Sequence, residues 1–228
     1  MALRSPSARR RKPLAHSSRS STSQTRVRSS NPSRRSAWAG FFGGLLWALF
    51  PLGELPTPQM VLTPKGSLAY FGIAYLCATL LLLMGLKSLH VIHWRSYGWL
   101  GSVGLFVSFA ALVLAFAGGT FDIIDMASTG TASTMAYLTL IVGYFILAGG
   151  STLLGLAIIE TLRDPPLYLG GLILAIAVPL GFLFVFATGA AWGFEFWAGL
   201  TVPYGAAWMV LGYALLRAKG RAARRRIS

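Results

Sequence analysis

Acidic residues are scarce in this chain: six Asp and Glu stand among 228 positions, against twenty Lys and Arg and a formal net charge of +14. Glu54, Asp122, Asp125, Glu160, Asp164 and Glu195 are all of them, and none lies in the middle of an apolar run. No Lys, Arg or His does so either. Pumps and coupled carriers keep their proton relays at mid-membrane depth, so this absence speaks against coupled transport. A single cysteine, Cys77, excludes an intrachain disulfide and a thiolate metal site, and leaves the redox compartment unread. Histidine is limited to His16, His90 and His93. Two imidazoles three residues apart do not close a metal site, and a haem needs axial ligands on facing helices. The expectation is neither metal nor cofactor.

Catalytic signatures are missing too. Gly149, Gly150 and Ser151 are followed by Thr152 and Leu153, and no histidine occurs beyond residue 93, which removes a six-span serine protease of the rhomboid type. Asp122 and Asp125 have the first spacing of the phosphoalcohol transferases, but no second aspartate pair follows to complete a carboxylate set for metal-assisted phosphoryl chemistry. No catalytic residue is assigned, and the chain is read as non-enzymatic.

Long apolar runs are what the sequence does contain. Six of them, at about 37–53, 68–86, 97–117, 134–159, 166–187 and 194–216, each approach the ~20 residues that ~30 Å of hydrocarbon requires of a helix. Drawn as spans, they leave nineteen of the twenty basic residues on one side and only Lys65 on the other. The positive-inside bias then puts both termini in the cytoplasm. The first run is short, rich in Gly and ends beside Pro51, which leaves a tilted or half-inserted helix as its alternative. Trp38, Trp94, Tyr97 and Trp99 gather at the inner level and Trp192, Phe196 and Trp197 at the outer, where aromatic belts belong. The fold class expected is all-α, a polytopic bundle of six transmembrane helices over residues 37–217, with connections at 54–67 and 118–133 too short for a soluble catalytic domain. A bacterial cytoplasmic membrane fits the preference for Arg over Lys, sixteen to four.

Residues 1–36 differ in kind. Ten basic side chains, eleven Ser, three Pro and no acidic residue have almost nothing apolar to bury, which predicts a disordered cytoplasmic tail. The apolar residues are too sparse and the prolines too frequent for an amphipathic transit peptide, and no small-x-small cleavage site supports a secretory signal. Anionic headgroups attract a nearby basic side chain by roughly 1 kcal/mol each. Arg9, Arg10, Arg11, Lys12, Arg34 and Arg35, with Arg224, Arg225 and Arg226 of the basic C-terminal segment 218–228, are therefore the candidate lipid contacts. Nucleic acid attracts the same charges but is not the expected partner, and enforcing topology alone is the plainer role.

Two features bear on how the helices work. Gly40 and Gly44, Ser151 and Gly155, Gly171 and Ala175, and Ala177 and Gly181 stand four apart, and Gly98, Gly101 and Gly104 three apart. Such smooth faces let membrane helices approach closely, within one chain or between copies. The last two spans share a short connection and so are antiparallel neighbours, which sets Pro179 and Pro203 at one depth near the bilayer midplane. Broken helices at that level expose carbonyls to solutes in transporters, and Glu195, Asp122 and Asp125 would give an acidic outer mouth. Two functions are expected in consequence: a membrane protein acting through lipid, a protein partner or a second copy, and, as the alternative, a small permease for a solute or cation through the fifth and sixth helices.

Overall fold

The computed structural model describes residues 34–54, 72–93, 96–129, 134–162, 164–189 and 194–224. Among these residues the regular structure is helical: α1 (Arg34–Leu49), a short 3₁₀ segment (Phe50–Glu54), α2 (Ile73–His93), α3 (Gly98–Thr129), α4 (Thr134–Thr161), α5 (Pro165–Thr188) and α6 (Phe194–Arg224). Five of these helices, α2 to α6, are long and apolar enough to cross a membrane. The 16 residues of α1 reach only about 24 Å at 1.5 Å per residue, short of the hydrocarbon thickness.

The helix ends follow from local chemistry. Pro51 has no backbone N–H and a fixed φ, so α1 tightens into 3₁₀ turns just before it. Pro165 and Pro166 open α5, where a missing N–H leaves no hydrogen bond unmade, and Gly189 closes it in the left-handed conformation at φ 64°. The largest departure from expectation is α3, which continues past residue 117 to Thr129. The segment expected as a loop contains no proline, and its hydroxyls turn back on the helix: Thr120 donates to the Phe116 carbonyl, and Ser128 and Thr129 to that of Asp125. Asp122 and Asp125 consequently stand on a helix.

Each helix packs antiparallel on the next, and α6 returns to α1, so the six form a closed ring. Small residues carry every seam. The position a Cβ would take on Gly40 lies 3.4 Å from Gly85 Cα between α1 and α2, and that on Gly104 lies 2.5 Å from Leu154 N between α3 and α4. Gly155 of α4 meets the Gly171 carbonyl of α5, Gly181 of α5 meets that of Gly199 in α6, and Gly44 of α1 meets that of Gly205 in α6. In the Gly44·Gly205 seam each glycine presents its Cα to the other's carbonyl, the weak Cα–H···O arrangement that recurs where helices touch backbone to backbone. The four-residue spacings thus serve packing within the chain.

Three aromatic side chains turn inward. Trp38 and Trp99 are exposed near the end of the bundle that carries Arg35 and Arg217, but Tyr97 is buried and its hydroxyl donates to the Leu89 carbonyl at 3.1 Å. At the other end Phe196 is buried and Trp197 turns onto Phe50 and Tyr144. A buried partner outcompetes the interface for these side chains. Trp94 and Trp192 lie outside the described residues.

Candidate functional site

The α5/α6 pair brings the two prolines together in the way the short connection implies. Pro179 lies nine residues before the end of α5 and Pro203 nine after the start of α6, so both sit about 13 Å from the same end of the bundle. A proline inside a helix frees the carbonyl four residues earlier, here those of Ala175 and Gly199. Neither is left open. The Thr152 hydroxyl of α4 donates to the Ala175 carbonyl at 2.9 Å, and the Gly199 carbonyl rests against the Cα of Gly181, with the Gly181 carbonyl turned back toward Gly199. A side-chain hydroxyl and a backbone C–H replace the two lost amide donors.

Beside this seam the surface opens into a groove of about 590 Å³, lined by Leu180, Gly181, Leu183, Phe184, Ala187, Ala198, Gly199, Val202 and Pro203. Its walls are hydrocarbon. Gly181 and Gly199 line it from the two helices, and Leu180, Leu183 and Phe184 are exposed side chains of α5, with the Phe184 ring lying over Gly199.

The acidic residues do not join this groove among the described residues. Asp122 and Asp125 are half-buried near the far end of α3, whose principal neighbours are α2 and α4. Glu195 occupies the first turn of α6, and its side chain lies outside the described residues. Among the basic candidates, Arg35 is exposed in the first turn of α1, at the end of the bundle where Lys87, His90 and Arg217 are exposed as well. Arg34 and Arg224 begin and end helices with side chains outside the description. Arg9, Arg10, Arg11, Lys12, Arg225 and Arg226 lie outside the described residues altogether.

A second feature carries no signal in the sequence. The middle of the ring is filled by aromatic side chains from four helices: Trp47 of α1 lies 5.2 Å from Tyr75 of α2, 5.9 Å from Tyr144 of α4 and 6.0 Å from Tyr204 of α6, centroid to centroid. Trp208 continues the cluster 6.4 Å beyond Tyr204, packed over Gly40 and Gly44 of α1 and Gly85 of α2. Trp47, Tyr144, Tyr204 and Trp208 are fully buried. Tyr75 donates to the Ala115 carbonyl at 3.3 Å, whereas Trp47 Nε1, Tyr144 Oη and Trp208 Nε1 make no hydrogen bond within the described residues. Tyr144 nevertheless faces the hydroxyls of Tyr75 and Tyr204, and Trp208 Nε1 faces that of Tyr204. The centre is therefore a packed plug with polar tips. Cys77, by contrast, points outward.

Comparison with known proteins finds no family model, no curated protein and no solved structure that matches the chain.

Proposed function

We propose that this is a six-span integral protein of the cell membrane, in a bacterial cytoplasmic membrane, with both termini in the cytoplasm, acting without chemistry of its own through lipid and membrane-protein partners, a second copy included. One observation carries the reading: the ring closes on itself around Trp47, Tyr144, Tyr204 and Trp208, all fully buried. A solute path down the middle would have to displace four large side chains. In this reading α1 completes the span count by tilting little and thinning the bilayer locally, at a modest cost per ångström of mismatch. The basic tail 1–36 and the segment 218–228 lie on the anionic inner leaflet.

A permease built on α5 and α6 is the second reading. The groove beside Pro203 and the outer position of Glu195, Asp122 and Asp125 favour it. Reconstitution separates the two. Purified protein in liposomes, offered a broad panel of small cations and neutral solutes, should give no flux above empty vesicles. Flux that falls with Glu195→Gln and slows with Pro203→Ala, in protein that remains folded, would overturn the first reading in favour of the second.

A further inference from the structure

The rim of the bundle that carries Arg35 and Arg217 is divided by charge, and we propose that its basic half holds the headgroup of an anionic phospholipid at the seam of α1 and α6. The inference rests on the membrane-embedded reading and adds to it a place and a ligand. Three consecutive helices of the ring, α6, α1 and α2, present the exposed cations Arg217, Arg35 and Lys87, whereas the acids of this rim, Glu160 and Asp164, belong to α4 and to the cap of α5, with Arg163 between them in the chain. The first turn of α1 contains no acid. Orientation by positive charge depends on how many Lys and Arg lie on one side. It does not require them to collect on neighbouring helices.

Packing fixes the level of the two guanidinium groups. Gly212 of α6 meets Phe41 of the antiparallel α1, and Arg35 lies six residues and Arg217 five residues from that contact toward the same rim. At 1.5 Å per residue these are about 9 and 7.5 Å, one level to within a single rise. One turn deeper on the same exposed faces stand Trp38 of α1 and Tyr213 of α6. Phe42 continues the α1 stripe and stacks on Trp38 at 5.4 Å. Each layer selects part of the ligand. The planar guanidinium fork matches phosphate oxygens, and aromatic rings with polar tips belong at headgroup depth, apolar at one end and wet at the other. A phosphodiester carrying acyl chains satisfies both, with its oxygens at Arg35 and Arg217, its glycerol against Trp38 and Tyr213, and its first methylenes along Phe42. Free phosphate or nucleic acid would use the charges and leave the aromatic layer uncovered. A zwitterionic lipid brings its own ammonium to a rim already rich in cations, so a headgroup of net negative charge is preferred.

Tyr168 supplies an internal control. Gly170 of α5 meets Leu211 of α6, which levels Tyr168 with Tyr213, and Tyr168 is 44% exposed against 43% for Trp38 and 54% for Tyr213. Its neighbour one turn away is Asp164, whose carbonyl accepts its amide at 2.9 Å. The full-length protein, tail included, is reconstituted in phosphatidylcholine nanodiscs holding a trace of phosphatidylglycerol with a diazirine near the head of its acyl chain, irradiated, and mapped by peptide mass spectrometry. Adducts on Trp38 and Tyr213 should exceed those on Tyr168 by about fivefold, the enrichment that the attraction of one basic side chain gives. A phosphatidylcholine probe with the same diazirine should label the three alike. Arg35→Gln with Arg217→Gln should remove the excess while the tail stays basic. An excess that survives the double substitution, or that appears equally with both probes, would overturn the proposal, and the comparison of probes uses the unaltered protein and so stands even if the variant fails to fold. Loss of the excess to an added oligonucleotide or to inorganic phosphate, at constant ionic strength, would overturn it in favour of those anions. A mid-chain probe that left the exposed Phe106 and Phe186 unlabelled would overturn the membrane reading itself.

Discussion

Replacing Thr152 by Val removes one hydroxyl and keeps the shape of the side chain, and the structure says what that hydroxyl is for. It donates at 2.9 Å to the Ala175 carbonyl, the group that Pro179 deprives of its helical partner. Interhelical hydrogen bonds in membranes average about 0.6 kcal/mol and reach about 1.7, and this one belongs at the upper end because no amide competes for the acceptor. Thr152→Val should therefore destabilise the bundle by about 1.5 kcal/mol, the scale on which an unsatisfied buried carbonyl is felt. In a Pro179→Ala background the residue-179 amide returns to Ala175, and the same substitution should cost about 0.5 kcal/mol or less. The coupling of about 1 kcal/mol is readable in a double-mutant cycle of unfolding by SDS in mixed micelles, with Thr152→Ser restoring most of the loss. Equal destabilisation by Thr152→Val in both backgrounds would refute the reasoning and leave Thr152 a packing residue.

Four further outcomes follow. Gly205→Leu should destabilise the protein by at least about 2 kcal/mol, because even a Cβ there meets the Gly44 carbonyl and lies 2.8 Å from Ala48 Cβ. Gly149→Ala, with nothing within 4 Å of its Cβ, should be neutral or stabilising by up to about 1 kcal/mol from helix propensity, both changes being read in the same unfolding assay. In a Cys77→Ser background, an impermeant thiol reagent applied to intact cells should label a cysteine at Ser128 and spare one at Ser96, and the reverse pattern would invert the topology. A peptide of residues 1–36 should bind anionic vesicles and be released as salt rises, and binding indifferent to salt would remove the electrostatic role of the tail.

Helix existence was legible because charge-free runs of about twenty residues have few alternatives in water or lipid. The end of α3 was not. Asp122, Asp125 and three hydroxyl residues in 118–129 resemble a loop by composition, and the back-bonds to Phe116 and Asp125 that keep them helical are local geometry rather than pattern. The level of Pro179 and Pro203 could be read from the short connection and the rise per residue. The acceptor that Thr152 finds could not, since nothing in the order of residues aligns α4 against α5 to within one turn. Glycine spacing pointed to close seams without naming their partners. The central cluster left the least trace: along helices that are apolar on every side, Trp47 and Trp208 read like the exposed Trp38 and Trp99, and only closure of the ring sends one pair inward.

Ring closure also sets a clock. The helix that seals α1 leaves the ribosome well after it: α6 begins 145 residues after α1 ends, an interval of roughly 7 to 30 s at ordinary rates of synthesis. Until it ends, α1 lacks its seam with α6, and Gly44 and the Trp47 indole await Gly205 and Tyr204. A nascent chain halted before α6 thus leaves α1 loosely held against the rest of the bundle. Emergence of α6 is the moment at which α1 becomes fixed, and a product cut short before α6 would be open to quality control in a way the closed ring is not.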